Sequence, residues 1–387
     1  MPNNTDKTAN NKKVFLVHSG NDYFSRLEQI ILSTQYEIHI QFYIFKYDVT
    51  GKKIIDALKN AAERGVKVYI LLDAFGSLSF PKEIVEELHV IGIHFRFFSP
   101  FFSKNSFYIG RRLHHKIVVS DAQLVLIGGI NIAKKYHGTI KKEPWLDYAV
   151  LVQDETIAKM LQLVCRNLFY KNRHPLRHKL ISVFYTPDEN TVRITQNDWL
   201  KRKNEIYKAY LNAFSKAKDE IIIVGSYFLP GKRLTNALKK AAKNKVTVKL
   251  ILSGVSDIKL AQRATNHIYA KLLRSNIELY EYNKTVLHGK AAIVDGNWTT
   301  IGSFNLNNLS AFGSLEMNVE IKSTQFTNIC KSHISTILSQ CQKVTLSSIK
   351  KRNTVYSNFI NWIAYWIARF LLNLVTYFPH KRFKIQY

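Results

Sequence analysis

Two stretches of this sequence repeat the same set of chemically active residues. The set is His-x-Lys-x4-Asp, followed seven residues after the aspartate by Gly-x-x-Asn. Chance places a single His-x-Lys-x4-Asp in about one chain in twenty, but two copies, each followed by Gly-x-x-Asn at the same distance, are far rarer, so the repetition indicates function. In chain order the two copies contribute His114, Lys116, Asp121 and Asn131, and His288, Lys290, Asp295 and Asn305.

This residue set suits the cleavage of an anionic phosphodiester. A neutral imidazole can attack phosphorus to give a phosphohistidine, while the other imidazole protonates the leaving alkoxide and then deprotonates an incoming alcohol or water. The two lysines and the two asparagines would donate N–H groups to the developing oxyanions. We add Ser303, which follows Gly302 in the second copy, to the predicted phosphate-binding residues.

The remaining acidic residues receive supporting roles. Asp147 and Glu316 are predicted to orient a histidine through its other ring nitrogen, with a surface ion pair as the alternative. Asp121 and Asp295 are counted as catalytic because they belong to the motif, although their position at a strand end favours bracing of a hairpin or of the lysine. We expect no metal and no cofactor, since two ammonium groups oppose a divalent cation.

The elements that must position these residues also occur twice. In each copy the pattern predicts a strand, a helix and a buried strand, then a second helix, an edge strand and the motif itself. Each motif strand is expected to turn back at its aspartate and return the asparagine beside the histidine. The predicted strands begin at Glu37, Val66 and Ile93 and at Glu220, Val246 and Ile277, and the second helices span 82–90 and 259–274.

Composition limits the partners. A formal net charge of +28 indicates an anionic partner or substrate, either nucleic acid or acidic phospholipid. Three cysteines without motif spacing argue against disulfides and a zinc site. The polar segment Met1–Lys13 lacks the apolar core of a secretory signal, so we expect a protein that faces the cytosol.

At these residues the chain resembles the phospholipase D superfamily, and within it the bacterial cardiolipin synthases of the short type without N-terminal transmembrane helices. The resemblance rests on the doubled motif, on Tyr227-Phe-Leu-Pro, on Tyr280-Glu-Tyr and on Leu315-Glu-Met-Asn. It implies an α/β fold of two phospholipase D-like domains related by a pseudo-twofold axis, each a mixed sheet flanked by helices. It also implies one shared site, with His114 as the more usual nucleophile and His288 as the acid and base.

The predicted domains are residues 14–185, residues 190–345 and a tail, residues 351–387. The tail is strongly apolar from Asn358 to Phe378, and its polar residues fall within one arc of a helical wheel. Basic residues flank it at Lys350–Arg352 and His380–Arg382. An amphipathic helix lying in a membrane surface is therefore predicted, with a spanning helix and a helix packed on the protein as alternatives.

The leading functional hypothesis is a phosphatidyltransferase that makes cardiolipin from two phosphatidylglycerol molecules and releases glycerol. The alternatives are a hydrolase of phospholipids, a nuclease, and a non-catalytic protein that binds anionic surfaces. Anionic phospholipid and a membrane surface are the expected partners, nucleic acid stays an alternative, and no protein partner is implied. The expected location is the cytoplasmic side of a bacterial inner membrane, as a peripheral or monotopic protein.

Overall fold

The fold is known from a computed structural model, which describes residues 13–100, 102–103, 106–108, 111–171, 184–185, 191–198, 203–307, 310, 313–377 and 382–384. Predictions that fall outside these residues, including the polar segment up to position 12 and the basic residues at 380–381, lie outside the description. The described residues form 21 strands and eleven helices.

The strands are β1 (Lys13–His18), β2 (Glu37–Phe42), β3 (Lys67–Asp73), β4 (His94–Phe98), β5 (Phe102–Ser103), β6 (Ser106–Tyr108), β7 (Arg112–Leu113), β8 (Lys116–Ser120), β9 (Leu124–Gly128), β10 (Tyr148–Gln153), β11 (Phe184–Tyr185), β12 (Thr191–Asp198), β13 (Lys203–Asn204), β14 (Glu220–Gly225), β15 (Thr247–Ser253), β16 (Glu278–Tyr282), β17 (Lys290–Val294), β18 (Trp298–Gly302), β19 (Ser314–Lys322), β20 (Cys341–Val344) and β21 (Arg382–Lys384). The helices are α1 (Asn21–Ser33), α2 (Val49–Glu63), α3 (Lys82–Val90), α4 (Lys134–His137), α5 (Glu155–Phe169), α6 (Glu205–Lys216), α7 (Lys232–Lys243), α8 (Lys259–Leu273), α9 (Thr324–Ser339), α10 (Leu346–Arg352) and α11 (Val355–Tyr377).

Two mixed sheets repeat one strand order. The first sheet runs β1-β10-β9-β8-β2-β3-β4, and the second contains β12-β19-β18-β17-β14-β15-β16 in the same relative places. In each, three neighbouring strands are parallel and the motif strand pairs antiparallel with the first of them. Because a strand joined to its parallel neighbour needs a helical crossover, each repeat carries helices on its outer face. The predicted α/β class with two related domains is confirmed.

Both motif strands turn back through the predicted hairpins. The turn residues Asp121 and Ala122 have φ of 48° and 52°, and Asp295 and Gly296 have φ of 49° and 63°. Aspartate and glycine tolerate this left-handed region better than most residues, which explains the aspartate at the same place in both copies. The hairpin pairs β8 with β9 and β17 with β18, and so returns each asparagine beside its motif.

The two sheets share a core. Alternate residues of each motif strand face different sides, as the period of a strand requires. Ile117 of β8 and Ile293 of β17 pack in one cluster between the repeats, whereas Val118 and Ala292 pack in the separate clusters under the outer helices. This shared apolar core holds the two motifs in a fixed relative position.

Two predictions about the sheets need correction. The strand at Ile277 was expected at an edge, but β20 pairs antiparallel with the observed strand β16 and covers it. The pairing of β20 with β16 joins segments about 60 residues apart, so the local pattern could not predict it. The first domain was expected to reach residue 185, yet β11 pairs with β12 of the second sheet. In addition, β7 from the first repeat pairs with β19 of the second.

The C-terminal region follows the second repeat. Helix α11 packs along α8, and β21 joins β5 and β6 in a small separate sheet. The side facing the protein contains the buried residues Asn361, Ala364 and Ala368. Among the residues that the structure describes, no helix combines the length and the apolar character needed to cross a bilayer.

Candidate active site

The two motifs meet at one cavity of about 460 Å³ between the repeats. His114 and Asn131 reach it from the first repeat, and His288 and Asn305 reach it from the second. Lys116 and Lys290 lie beside the histidines and are buried, each with 2 % of its surface exposed. The fold therefore brings the histidines, lysines and asparagines of both copies to one place.

His114 stands immediately before β8 and is held by the opposite repeat. Its backbone N–H donates to the carbonyl of Leu315 at 3.0 Å, and its Nδ1 lies 2.8 Å from Glu316 Oε2. The remaining ring nitrogen, Nε2, is left for chemistry. Burial lowers the pKa of His114, and the carboxylate of Glu316 opposes that shift. The imidazole is consequently neutral near pH 7.

His288 is held in the same way from the first repeat. Its Nδ1 lies 2.6 Å from Asp147 Oδ2, and its backbone N–H donates to the carbonyl of Leu146. Burial and the neighbouring Lys290 lower the pKa of His288 well below its ordinary value. Burial raises the pKa of Asp147 to about 6, and Lys290 opposes that shift. Each histidine is thus oriented by a carboxylate of the other repeat.

The two motif lysines occupy equivalent positions. Lys116 Nζ donates to the carbonyl of His114 at 2.8 Å, and Lys290 Nζ donates to the carbonyl of His288. Lys290 Nζ also lies 2.8 Å from His288 Nδ1. Burial lowers the pKa of Lys116 to about 7 and that of Lys290 to about 8. Nearby carboxylates oppose both shifts, chiefly Glu316 for Lys116 and Asp147 for Lys290.

The asparagines line the cavity but are fixed by the first strand of their own repeat. Asn131 Oδ1 accepts the N–H of Ile44 at 3.1 Å, and its Nδ2 donates to the hydroxyl of Tyr136. Asn305 Oδ1 accepts the hydroxyl of Ser226 at 3.0 Å. Fixing the carbonyl oxygen of each amide turns the NH2 group away from that strand. Such an arrangement presets donors for an anion.

Ser303 does not reach the cavity, contrary to its predicted phosphate-binding role. The side chain is completely buried behind Glu316. Its hydroxyl donates to Glu316 Oε2 at 2.5 Å and accepts the N–H of Met317 at 3.0 Å. Because the hydroxyl is committed to these two partners, Ser303 positions the carboxylate that holds His114.

Asp121 and Asp295 are also not brought to the cavity, contrary to their predicted catalytic role. Asp121 accepts the backbone N–H groups of residues 35, 36 and 37 at 2.8 to 2.9 Å. Asp295 accepts those of residues 218, 219 and 220 in the same geometry. Both carboxylates therefore tie the motif hairpin to the start of the neighbouring strand, which agrees with the bracing role that their position favoured.

Similarity to known proteins decides the family. The family described as "Cardiolipin synthase, PLD-like domain" matches residues 27–167 and 210–338. The chain belongs to this family. Its resemblance to the phospholipase D superfamily and to bacterial cardiolipin synthases, predicted from the doubled motif, is confirmed.

Individual relatives of this cardiolipin synthase family cover nearly the whole chain. Cardiolipin synthase B of Escherichia coli is 32 % identical over 95 % of this chain and 90 % of its own length. A cardiolipin synthase of Clostridium perfringens is 29 % identical over 91 % of this chain and 76 % of its own. The crystal structure of phosphatidylserine synthase from Haemophilus influenzae has the same fold, with a TM-score of 0.72, 14 % identity and 94 % of each chain covered.

Several residues in or next to the cavity of this family member were not predicted. Tyr136 and Trp145 place their rings 5.3 and 6.0 Å from that of His288, and Tyr43 places its ring 4.9 Å from that of His114. Lys135 and Arg112 add positive charge to the lining. These residues have no counterpart at the same spacing in the other repeat, so the duplication that exposed the motifs gave no signal for them.

The far wall of the cavity is apolar and comes from the second repeat and the tail. Helix α11 contributes Ala368, Leu371 and Leu372 to it. Leu371 and Ile258 are lining residues that are also 45 % and 47 % exposed, so the apolar end of the cavity reaches the protein surface. The remaining apolar lining residues of this wall are Leu229, Leu260 and Ala261.

Proposed function

We propose that this chain is a cardiolipin synthase that moves a phosphatidyl group from one phosphatidylglycerol to the hydroxyl of another through a phosphohistidine at His114. It is a phosphatidyltransferase, as predicted from the doubled motif. The family match and relatives named cardiolipin synthase over nearly the full length support this assignment. The observation that carries it is a cavity lined both by the paired histidines and by an apolar wall.

The apolar wall distinguishes a lipid substrate from a nucleic acid. Acyl chains gain free energy from contact with apolar side chains, in proportion to the surface removed from water. The wall of α8 and α11 offers such contact in the same cavity as the histidines, and it is open at the surface at Leu371. A nuclease groove would instead combine positive charge with exposed aromatic rings along the whole path of a strand.

In the first step His114 acts as the nucleophile. Glu316 holds Nδ1, so the lone pair of Nε2 forms the bond to phosphorus while the bond from phosphorus to the glycerol oxygen breaks. His288 Nε2 delivers its proton to that oxygen, and glycerol leaves. The negative charge of the bound phosphodiester favours the protonated form of His288, which is disfavoured in the empty cavity.

The second step reverses the proton transfer. The hydroxyl of a second phosphatidylglycerol gives its proton to His288, and its oxygen bonds to phosphorus while the N–P bond to His114 breaks. The electron pair of that bond returns to Nε2, and cardiolipin is released. Throughout, the ammonium groups of Lys116 and Lys290 neutralise the charge of the non-bridging oxygens, and the two asparagines donate N–H groups to them.

We propose that the protein binds the cytoplasmic side of a bacterial inner membrane, and the outer face of α11 supports binding to a membrane surface. This face, defined as Phe359, Trp362, Trp366 and Phe370, is 47 to 64 % exposed. The exposed basic residues Lys350 and Lys351 precede the helix and suit anionic headgroups. The opposite side packs on α8, so the helix lies on the protein and presents its apolar face outward. This arrangement supports a peripheral or monotopic association with the membrane.

A lipid assay tests the proposed reaction. Purified protein in detergent micelles with labelled phosphatidylglycerol should yield cardiolipin and free glycerol, and His114→Asn should abolish both. His115→Gln is the matched control, because His115 is buried beside the motif and contacts Gln41 instead of the cavity. Phosphatidic acid without cardiolipin would identify a lipid hydrolase, and unchanged lipid with cleavage of single-stranded DNA would identify a nuclease.

Vesicle flotation tests the membrane face. Replacing Trp362, Trp366 and Phe370 by serine should release the protein from vesicles that contain phosphatidylglycerol. Replacing the exposed apolar residues Leu78 and Val90 on the first repeat is the control. Point variants are preferable to deletion because α11 also forms the cavity wall. Equal binding of all three proteins would contradict the proposal.

A further inference from the structure

A positive charge outside the motifs lies on the His288 side of the cavity. Lys135, in the short helix α4, lines the cavity and places Nζ 3.7 Å from the centre of the Trp145 ring. That ring is 6.0 Å from the ring of His288. Tyr136 links the same two residues, with its ring 5.5 Å from Lys135 Nζ and 5.3 Å from the His288 ring. Lys135 is therefore a near neighbour of His288.

This ammonium group has no close counter-charge. Among the residues that the structure describes, no carboxylate lies within 4 Å of Lys135 Nζ, whereas Arg112 on the other side has Asp73 at 3.6 Å. Asp257 raises the pKa of Lys135 from a longer distance. Its carboxylate already accepts a hydrogen bond from the hydroxyl of Tyr227 at 2.6 Å. A partly buried charge without a partner is costly, and an anion entering the cavity would offset that cost.

Protonation is compatible with anion binding. Burial lowers the pKa of Lys135 to about 8, and Asp257 opposes the shift. At pH 7 the side chain is still mainly charged. Its position over the face of Trp145 holds it by a cation–π contact without consuming its N–H donors.

The proposed reaction requires a second anion near His288. Cardiolipin carries two phosphodiesters joined by one glycerol, so the acceptor brings its own phosphate to the site. When His288 removes the proton of the acceptor hydroxyl, the acceptor glycerol lies against His288 and its phosphate lies one glycerol length farther on the same side. Lys135 lies on that side.

We propose that Lys135 binds the phosphate of the acceptor lipid and so selects an anionic lipid alcohol as the acceptor. This inference rests on the proposed function, because only a cardiolipin synthase has an acceptor lipid that carries its own phosphate. The duplicated sequence is consistent with it. The position four residues after Asn131 is Lys135, but the position four residues after Asn305 is Leu309. Only the first repeat therefore has a lysine at this position. Such asymmetry fits the reaction, because the phosphate of the donor lies at the histidines and the phosphate of the acceptor lies on one side of them.

Two reactions of the same enzyme separate acceptor binding from the chemistry. Cardiolipin formation needs the acceptor phosphate, whereas exchange of labelled glycerol into phosphatidylglycerol uses the same phosphohistidine with a neutral acceptor. Lys135→Gln should lower cardiolipin formation at least tenfold more than it lowers glycerol exchange, which corresponds to about 1.4 kcal/mol of acceptor binding. Lys135→Arg should restore most of the difference, because it keeps the charge.

The matched control is Lys134→Gln, which removes an exposed lysine at the adjacent position. It should leave the ratio of the two activities unchanged. Equal loss of both activities in Lys135→Gln, or no change in their ratio, would overturn the proposal. A wild-type enzyme that performs glycerol exchange without making cardiolipin would instead refute the proposed function, so the two failures are distinguishable.

Discussion

The two halves of the site solve the same problem with different residues. His114 is held by Glu316 of the second repeat. The hydroxyl of Ser303, which follows Gly302 in the second motif, donates to that carboxylate. His288 is held by Asp147, and the corresponding residue is Gly129. A Cβ at Gly129 would lie 2.3 Å from Asp147 Oδ1. The shorter carboxylate therefore needs a glycine beside it, and the longer one accommodates a serine.

The surroundings of the two histidines differ as well. His288 contacts three aromatic rings, those of Tyr136, Trp145 and Tyr227, and its side chain is 7 % exposed. His114 has Tyr43 beside it and its side chain is 14 % exposed. An identical motif thus acquires two environments, which is how two chemically equal groups come to carry different roles. The more accessible His114 suits the nucleophile.

The largest expected effect comes from removing either histidine, and it would test this division of roles. Both His114→Asn and His288→Asn should lower turnover by at least about 10³-fold, because each removes a group that the chemistry needs. A donor labelled in its phosphatidyl group, with a leaving alcohol acidic enough to need no proton, should leave covalent label on His288→Asn, where the second step lacks its base, but none on His114→Asn. Protein quenched in alkaline denaturant and resolved by electrophoresis without acid measures the label, because acid hydrolyses the N–P bond of a phosphohistidine. Label found on the His114 variant alone would reverse the assignment.

The next largest effect concerns Gly129, which lies beside Asp147, and Ser303, which lies beside Glu316. Gly129→Ser should reduce turnover by about 10²-fold, since the new side chain displaces Asp147 and leaves His288 without its partner. Ser303→Gly should cost only about tenfold, because Glu316 keeps its contact with His114 and loses one hydrogen bond. Turnover and thermal unfolding measured together separate this effect from misfolding. Equal losses in both variants would show that the halves do not differ in this respect.

The pH dependence should also distinguish the two halves. Activity of the free enzyme should rise with pH through about 6, as Asp147 ionises and holds His288, and fall above about 7, as Lys116 loses the charge that faces phosphate. In Lys116→Arg the alkaline limb should move to about 8, the value for Lys290, because a guanidinium stays protonated. Profiles of kcat/KM for both proteins provide the measurement. An unchanged alkaline limb would mean that Lys116 does not control it.

The smallest effect on turnover is expected for Asp121 and Asp295, which make equivalent contacts in the two repeats. Asp121→Ala and Asp295→Ala should each destabilise the protein by about 1–3 kcal/mol, because each leaves backbone N–H groups of the neighbouring strand without an acceptor. Denaturant unfolding measures this, and turnover at low temperature should change little. A loss of activity in a variant that remains fully folded would return these aspartates to the catalytic group.

The sequence predicted correctly those features that depend on residues only a few positions apart in the chain. The alternating strands and helices predicted the α/β class. The aspartate at the end of each motif strand predicted both hairpins, and the repeated His-x-Lys predicted the histidines and lysines that meet at the cavity. Helix 82–90 was predicted within the bounds observed for α3. These features depend on neighbours a few residues apart, and backbone geometry fixes them before any tertiary contact forms.

Long-range packing decided the rest. Glu316 and His114 are separated by 202 residues, and Asp147 and His288 by 141, so each pairing exists only because the two sheets share one core. The same packing put Ser303 behind Glu316 instead of at the phosphate, covered β16 with β20, and turned α11 into a wall of the cavity. Periodicity shows which side of an element is apolar. It does not show which apolar surface that side will meet, since many surfaces bury the same area with similar free energy.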